Sequence, residues 1–153
     1  MGRSKKVQGQ MATSLHSNNE DQEYPVMVWI HGGGYAFGST VEYGYTGIVE
    51  HLVPKGVIVV SIQYRLGPWG FFSSGDSVAP GNYGLWDQRL ALLWIQENIK
   101  VFGGNRNKVT IFGESAGAAS ASFLSISPHS KDLFHQMILM SGSSFCPWTR
   151  NTD

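Results

Sequence analysis

Two apolar runs most restrict what this chain can fold into. Residues 26–30 read Val-Met-Val-Trp-Ile, and residues 57–62 read Val-Ile-Val-Val-Ser-Ile. A strand with one solvated face alternates apolar and polar residues, whereas nearly continuous apolar runs are typical of strands buried on both faces of a parallel sheet. The sequence therefore predicts a parallel sheet with both faces covered.

Helix and strand patterns alternate along the rest of the chain. Strands are also predicted at 108–112 and 136–140, and helices at 46–53, 85–102 and 115–124, while the Gly/Ser/Pro-rich residues 65–84 predict a long loop. The apolar stripe of the longest helix is predicted to contain Trp86, Leu90, Leu93, Trp94 and Val101. This alternation predicts an α/β fold with a predominantly parallel sheet and flanking helices.

The chain divides into two parts by composition. Residues 1–24 are polar and predict a disordered N-terminal arm, and residues 25–153 carry the folded domain. The arm lacks the apolar stretch of a signal peptide, and no segment has the length of a membrane span. We therefore expect no transmembrane segment, and localisation and oligomeric state are left open.

Charge and cysteine content exclude several classes of protein. Lys plus Arg and Asp plus Glu both number 11, so no field of one sign predicts a nucleic-acid partner. Cys146 is the single cysteine and the five histidines are dispersed, so the sequence predicts neither an internal disulfide nor a metal site. We expect no cofactor, and a neutral chain of this kind suits a neutral small-molecule substrate.

Residues 113–117, Gly-Glu-Ser-Ala-Gly, are the first chemical motif. Gly-x-Ser-x-Gly is a weak signal alone, but here a predicted strand runs into it and a predicted helix begins at Ser115, as in the nucleophile elbow of α/β-hydrolases. The glycines at 113 and 117 would permit the close backbone approach that this turn requires. The competing interpretation is an ordinary helix N-cap serine.

Residues 31–34, His-Gly-Gly-Gly, are the second motif and directly follow a buried strand. In α/β-hydrolases such a loop, with the residue after the nucleophile, supplies N–H donors for the oxyanion of the tetrahedral intermediate. The sequence therefore predicts Gly33, Gly34 and Ala116 as the oxyanion hole. A flexible glycine linker is the alternative.

These motifs together resemble the type-B carboxylesterase family, over residues 25–149. The similar segments are 28–34, 81–99, 102–117 and 141–148. The resemblance implies that Ser115 is the nucleophile and that Glu114 is a carboxylate beside the substrate gorge. It also implies that Trp148 belongs to the wall of the acyl pocket. Members of the family are often secreted or lumenal.

The chain departs from the family in length. Members are several times longer, so residues 25–153 are expected to form a partial domain without the later strands and helices. The family's triad runs serine, acid, histidine, but none of the candidates after Ser115 fits: His129, Asp132, His135 and Asp153. His31 is interpreted as an anchor of the glycine loop, and we expect the acid and base to lie outside this chain.

The leading functional prediction is a carboxylic ester hydrolase that forms an acyl-enzyme on Ser115. A non-catalytic adhesion protein on the same scaffold, as in the neuroligin-like branch, is the first alternative, because fold alone does not determine function. An inactive truncated product is the second.

Overall fold

The computed structural model describes residues 9–12, for their backbone, and residues 23–149. Within these ranges the chain forms a five-stranded sheet in the order β1-β3-β2-β4-β5. The strands are β1 (Gly9–Ala12), β2 (Tyr24–Ile30), β3 (Ile58–Ile62), β4 (Gly104–Glu114) and β5 (Gln136–Met140). Strand β1 pairs antiparallel with β3, and the other pairings are parallel. The predicted α/β class with a predominantly parallel sheet is confirmed.

Five α-helices connect these strands in the described part of the chain. They are α1 (Thr40–Tyr43), α2 (Thr46–His51), α3 (Gly67–Phe71), α4 (Tyr83–Asn98) and α5 (Ala116–Ile126). Short 3-10 helices lie at Val53–Lys55, Ile99–Phe102, Pro128–Ser130 and Pro147–Thr149. No helix among the described residues is long and apolar enough to cross a membrane.

The main core lies between the sheet and helices α4 and α5. Alternate residues of β2, such as Val28 and Ile30, are fully buried there against Leu92 and Ile95 of α4. Trp29 points to the opposite face, where its ring meets that of Tyr43 on α1 at 5.2 Å. Both faces of β2 are thus covered, which explains why the run at 26–30 has no polar break.

The apolar stripe predicted for the helix at 85–102 is wrong; the structure divides that segment between α4 and the 3-10 helix Ile99–Phe102. Four of its five members are substantially exposed, among them Trp86 at 47% and Val101 at 84%. The buried side of the helix instead carries Gln88 together with the apolar residues Ala91, Leu92 and Ile95. The rings on the outer side make other contacts, as Trp86 does with His129 at 5.2 Å.

Two further elements differ from the sequence-based expectation. Strand β1 lies within residues 1–24, where a disordered arm is predicted; the rest of that segment up to residue 22 is outside the described residues. Helix α3 lies within the predicted loop at 65–84, where Pro68 in its first turn suits helix initiation because its missing N–H needs no partner there.

Candidate active site

The carboxyl ends of β2 and β4 lie side by side in the centre of the sheet. Ile30 pairs with Gly113, so the loops that leave the two strands start next to each other. The chain passes from β2 to β3 on one side and from β4 to β5 on the other. Divergent connections of this kind open a crevice at the strand ends, which is where α/β sheets bind ligands.

Ser115 directly follows the carboxyl end of β4 and has a strained backbone conformation. Its φ is 53° and its ψ is −119°, a region that residues with a side chain rarely adopt. Such conformations cost on the order of 1–3 kcal/mol and persist where the surroundings impose them. The Ser115 N–H donates to the Met140 carbonyl at 2.9 Å, so β5 helps to hold the turn.

Close backbone contacts surround the turn and require glycine. A Cβ on Gly117 would lie 2.0 Å from the Ile30 carbonyl oxygen, and one on Gly113 would lie 2.5 Å from the Gly117 carbonyl carbon. A Cβ on Gly142, after β5, would lie 2.3 Å from the Ser115 carbonyl oxygen. The steric reason given for glycine at 113 and 117 is confirmed, and Gly142 is a third such position that sequence reasoning did not single out.

The glycine loop after β2 reaches the same turn. A Cβ on Gly32 would lie 3.3 Å from the Ser115 Cβ and 2.8 Å from Glu114 Oε2. The loop then curls back, with φ of 108° at Gly33 and 59° at Gly34, and the Gly33 carbonyl accepts from Phe37 N–H at 3.1 Å. The structure therefore brings the two sequence motifs together.

Three backbone amides of the two motifs have no hydrogen-bond acceptor in the described part of the chain. Within residues 23–149, no protein acceptor bonds the N–H of Gly33, Gly34 or Ala116. Ala116 is the first residue of α5, where N–H groups have no intrahelical acceptor and the helix dipole favours negative charge. Amides of this kind can stabilise an oxyanion.

His31 is buried beneath the loop. Its ring stacks on that of Tyr64 at 4.5 Å, and its Nδ1 lies 2.9 Å from the Gly32 carbonyl oxygen. The Tyr64 hydroxyl donates to the His31 carbonyl at 2.7 Å, and burial raises the pKa of this phenol. These contacts give His31 the surroundings of a loop anchor.

The other described histidines lie away from Ser115. His135 exchanges backbone and ring contacts with Val109, near the amino end of the parallel β4–β5 pair. Six residues of extended chain separate Val109 from Ser115, which at about 3.3 Å per residue is roughly 20 Å. His129 lies beyond the far end of α5, where its carbonyl accepts from Arg89 at 2.6 Å, and His51 is exposed at the end of α2.

The two predicted pocket residues are placed differently. Glu114 lies directly behind the glycine loop, as its contact with Gly32 shows. Trp148 is half exposed on the 3-10 helix Pro147–Thr149, and no ring contact or hydrogen bond among the described residues joins it to Ser115 or the loop. Its segment is attached to α5, because Ser122 Oγ donates to Ser144 Oγ at 3.0 Å.

A buried polar cluster adjoins the site and was not predicted. Gln88 Nε2 on α4 donates to Ser120 Oγ on α5 at 3.1 Å, and both residues are fully buried. The Tyr35 hydroxyl is buried beside Ser120; burial raises the pKa of this phenol to about 12, and the Ser120 hydroxyl lowers it by a smaller amount. The only sequence signal was a tyrosine directly after the triple glycine.

Comparison with known proteins identifies the family to which this chain belongs. The sequence model of the Carboxylesterase family matches residues 10–153. The chain belongs to the carboxylesterase family.

No group of side chains among the described residues could hold a metal ion.

Several relatives are about half identical to the chain. Gut esterase 1 of Caenorhabditis briggsae is 53% identical over 128 residues, and Carboxylesterase 5A of Mus musculus is 51% identical over 138 residues. Bile salt-activated lipase of Bos taurus is 46% identical over 138 residues. These matches cover 84%, 90% and 86% of this chain, and 23% of each relative. The chain thus spans about a quarter of the length of these relatives.

Proposed function

We propose that this chain supplies the nucleophile and the oxyanion hole of a serine carboxylic ester hydrolase. One observation carries the proposal: the two motifs meet at the carboxyl ends of β2 and β4, where Gly32 packs against the strained Ser115. The free amides of Gly33, Gly34 and Ala116 add the donors that an acyl-transfer site needs. The relatives named as esterases and as a lipase agree with this reaction.

In this mechanism the Ser115 hydroxyl attacks the carbonyl carbon of a small-molecule ester. The carbonyl π bond becomes the oxyanion, which accepts from the three amides, and the serine proton passes to a general base. Collapse of the intermediate expels the alcohol, which takes up that proton, and leaves an acyl group on Ser115. Water then attacks the acyl group by the same steps and releases the acid.

The general base and its acid partner are proposed to come from sequence outside this chain. A base must lie within about 3 Å of the serine hydroxyl. Among the described residues no side chain hydrogen-bonds to Ser115. His135 lies near the amino end of the paired part of β4, and His129 lies beyond the far end of α5. A serine without its base is a weak nucleophile, so turnover is expected from the longest natural product that contains these residues.

The pocket residues have unequal support. Glu114 is proposed to shape the gorge beside the glycine loop, because its carboxylate already lies against Gly32. Trp148 is proposed as part of the acyl-pocket wall on the family resemblance alone. The substrate is proposed to be a neutral small-molecule ester.

Labelling with a fluorophosphonate probe tests the proposal, because the probe phosphonylates only an activated serine. The longest natural product should be labelled once per chain, and Ser115→Ala should abolish the label. Ser125→Ala is the matched control, since Ser125 is exposed on α5, the helix that follows Ser115, and bonds only the Ser122 carbonyl. Label that persists in Ser115→Ala, or wild-type protein that takes no label, contradicts the assignment.

A further inference from the structure

A small cavity lies between α4 and the carboxyl end of α5. Its volume is about 160 Å³, and its lining comes mainly from α4, α5 and the 3-10 helix Pro128–Ser130. Phe123 of this lining lies eight residues beyond Ser115 along α5, which at 1.5 Å per residue is roughly 12 Å. The cavity is therefore separate from the candidate active site.

The walls of the cavity are largely apolar. Leu85 and Trp86 of α4 line it together with Phe123 and Leu124 of α5. Pockets for drug-sized ligands have volumes of about 300–1,000 Å³, whereas an apolar cavity of about 150 Å³ takes a molecule of benzene. The space thus suits a ligand whose apolar part is about as large as one aromatic ring.

Arg89 is the only charged residue among the described residues that line the cavity. Its Nε–H donates to the His129 carbonyl at 2.6 Å, and its guanidinium carbon lies 5.8 Å from the centre of the Trp86 ring. These two contacts hold the partly buried side chain in place. Its terminal nitrogens have neither a hydrogen-bond acceptor nor an ion-pair partner within residues 23–149. They remain free to bind an anion, and the planar guanidinium matches the geometry of a carboxylate.

Ser130 adds a second polar group to the lining. The residue is 3% exposed, and its Oγ has no hydrogen-bond partner in the part of the chain that the structure describes. Its backbone is already engaged, because its N–H donates to the Ser127 carbonyl at 3.1 Å and its carbonyl accepts from Leu133 N–H at 3.2 Å. Ser130 also directly follows His129, whose carbonyl holds Arg89, so the hydroxyl and the guanidinium belong to the same turn. A buried hydroxyl without a partner is unfavourable, and an anionic ligand supplies the acceptor that it lacks.

We propose that this cavity binds a small organic carboxylate, at a site separate from Ser115. The carboxylate accepts from the terminal N–H groups of Arg89 and from the Ser130 hydroxyl, and the apolar body lies between Trp86 and Phe123. Because no acidic side chain lines the cavity, the ligand's charge meets no repulsion there. The inference goes beyond the ester hydrolase reaction and does not depend on it.

Titration calorimetry of the longest natural product with benzoate tests the inference, because benzoate combines one ring with one carboxylate. We expect saturable binding at this site. Benzamide keeps the ring and lacks the charge, and inorganic phosphate has the charge and lacks the apolar body. Each should bind at least about 10-fold more weakly than benzoate, because the cavity recognises both parts of the ligand.

Two variants locate the binding. Arg89→Gln removes the charge and should weaken benzoate binding about 10-fold or more, and Ser130→Ala should weaken it about 3- to 10-fold. Arg106→Gln is the matched control, because it removes the same charge from an exposed residue outside the cavity and should leave the affinity unchanged. Melting temperatures measured without ligand show which variants are folded, and Ser130→Ala decides the test if Arg89→Gln does not fold.

The outcomes separate this cavity from other binding places. Wild-type protein that binds no benzoate at millimolar concentration overturns the inference, and so does either folded variant that binds benzoate as tightly as the wild type. Phosphate that binds as tightly as benzoate overturns the assigned ligand class, because the apolar walls then contribute nothing. Weaker binding confined to the Arg89 and Ser130 variants supports the inference. Labelling of Ser115 is measured separately, so a failure here leaves the hydrolase proposal standing.

Discussion

Because the backbone of Ser115 is strained, we expect the stability of a Ser115 variant to depend on the replacement, with glycine more stable than alanine. At φ 53° and ψ −119° the conformation costs about 1–3 kcal/mol for any residue with a Cβ, and little for glycine. Glycine loses about 0.5–1 kcal/mol more backbone entropy on folding. The difference leaves Ser115→Gly more stable than Ser115→Ala by roughly 1 kcal/mol.

The comparison of the two variants isolates the strain, because both remove the same hydroxyl. Their free energies of unfolding are measured by urea denaturation of the longest natural product, followed by tryptophan fluorescence, with the m-value required to stay constant. The matched control is the same pair of substitutions at Ser125, an exposed residue of α5 with helical backbone. There glycine should be less stable than alanine by roughly 0.5–1 kcal/mol.

The sign of the difference between glycine and alanine should therefore reverse between the two sites. If Ser115→Gly unfolds at the same or lower urea concentration than Ser115→Ala, while the Ser125 pair behaves as expected, the turn stores no strain and the reasoning fails. A positive result would show that the protein gives up stability to present this hydroxyl, as strained functional sites do.

Three further predictions concern packing, pH and charge. Gly117→Ala should lower the melting temperature, because its Cβ would lie 2.0 Å from the Ile30 carbonyl and overpacking costs about 1–3 kcal/mol. Gly47→Ala in α2, with no atom within 4 Å, should raise it slightly. Burial raises the pKa of Tyr35 from 10.0 to about 12. Between pH 10 and 12 the unfolded chain therefore loses this proton while the folded chain keeps it, so the free energy of unfolding should fall as the pH rises. Urea denaturation over this pH range should show a smaller fall for Tyr35→Phe than for the wild type. Asp87→Asn should lower the free energy of unfolding by about 0.5–1 kcal/mol at low salt and by less at high salt, since it removes the partly exposed ion pair with Arg65 at 2.6 Å.

The sequence predicted the elements whose residues have a single dominant role. Residues 26–30 lie between two layers, so every position is apolar and the strand is evident from the sequence. The glycines at 113 and 117 were predictable because the turn between a strand and a helix has a known geometry. In both cases the consequence of the packing appears as a pattern within five consecutive residues, which the sequence displays directly.

Features that depend on tertiary contacts were missed or wrong. The core-facing side of α4 was misassigned because exposed Trp86 and buried Gln88 reverse the usual preference, and Gln88 is tolerated inside only because Ser120 on another helix bonds it. Strand β1 was missed because its place at the edge of the sheet comes from pairing with β3, since its own residues are largely polar or small. The hydrogen bond between Gln88 and Ser120 joins residues 32 positions apart, which no local pattern reveals.

The hydrogen bond from Ser115 N–H to the Met140 carbonyl, together with the contact of Gly142 on Ser115, has a consequence during synthesis on the ribosome. Ser115 and the glycine loop emerge well before β5, so the nascent chain carries both motifs while the strand that holds the serine turn is still in the exit tunnel. The bond from Ser115 N–H can form only after residues 136–142 have emerged and β5 has paired with β4. The contacts that β5 and Gly142 make with the serine turn are therefore among the last to form as residues 1–142 emerge.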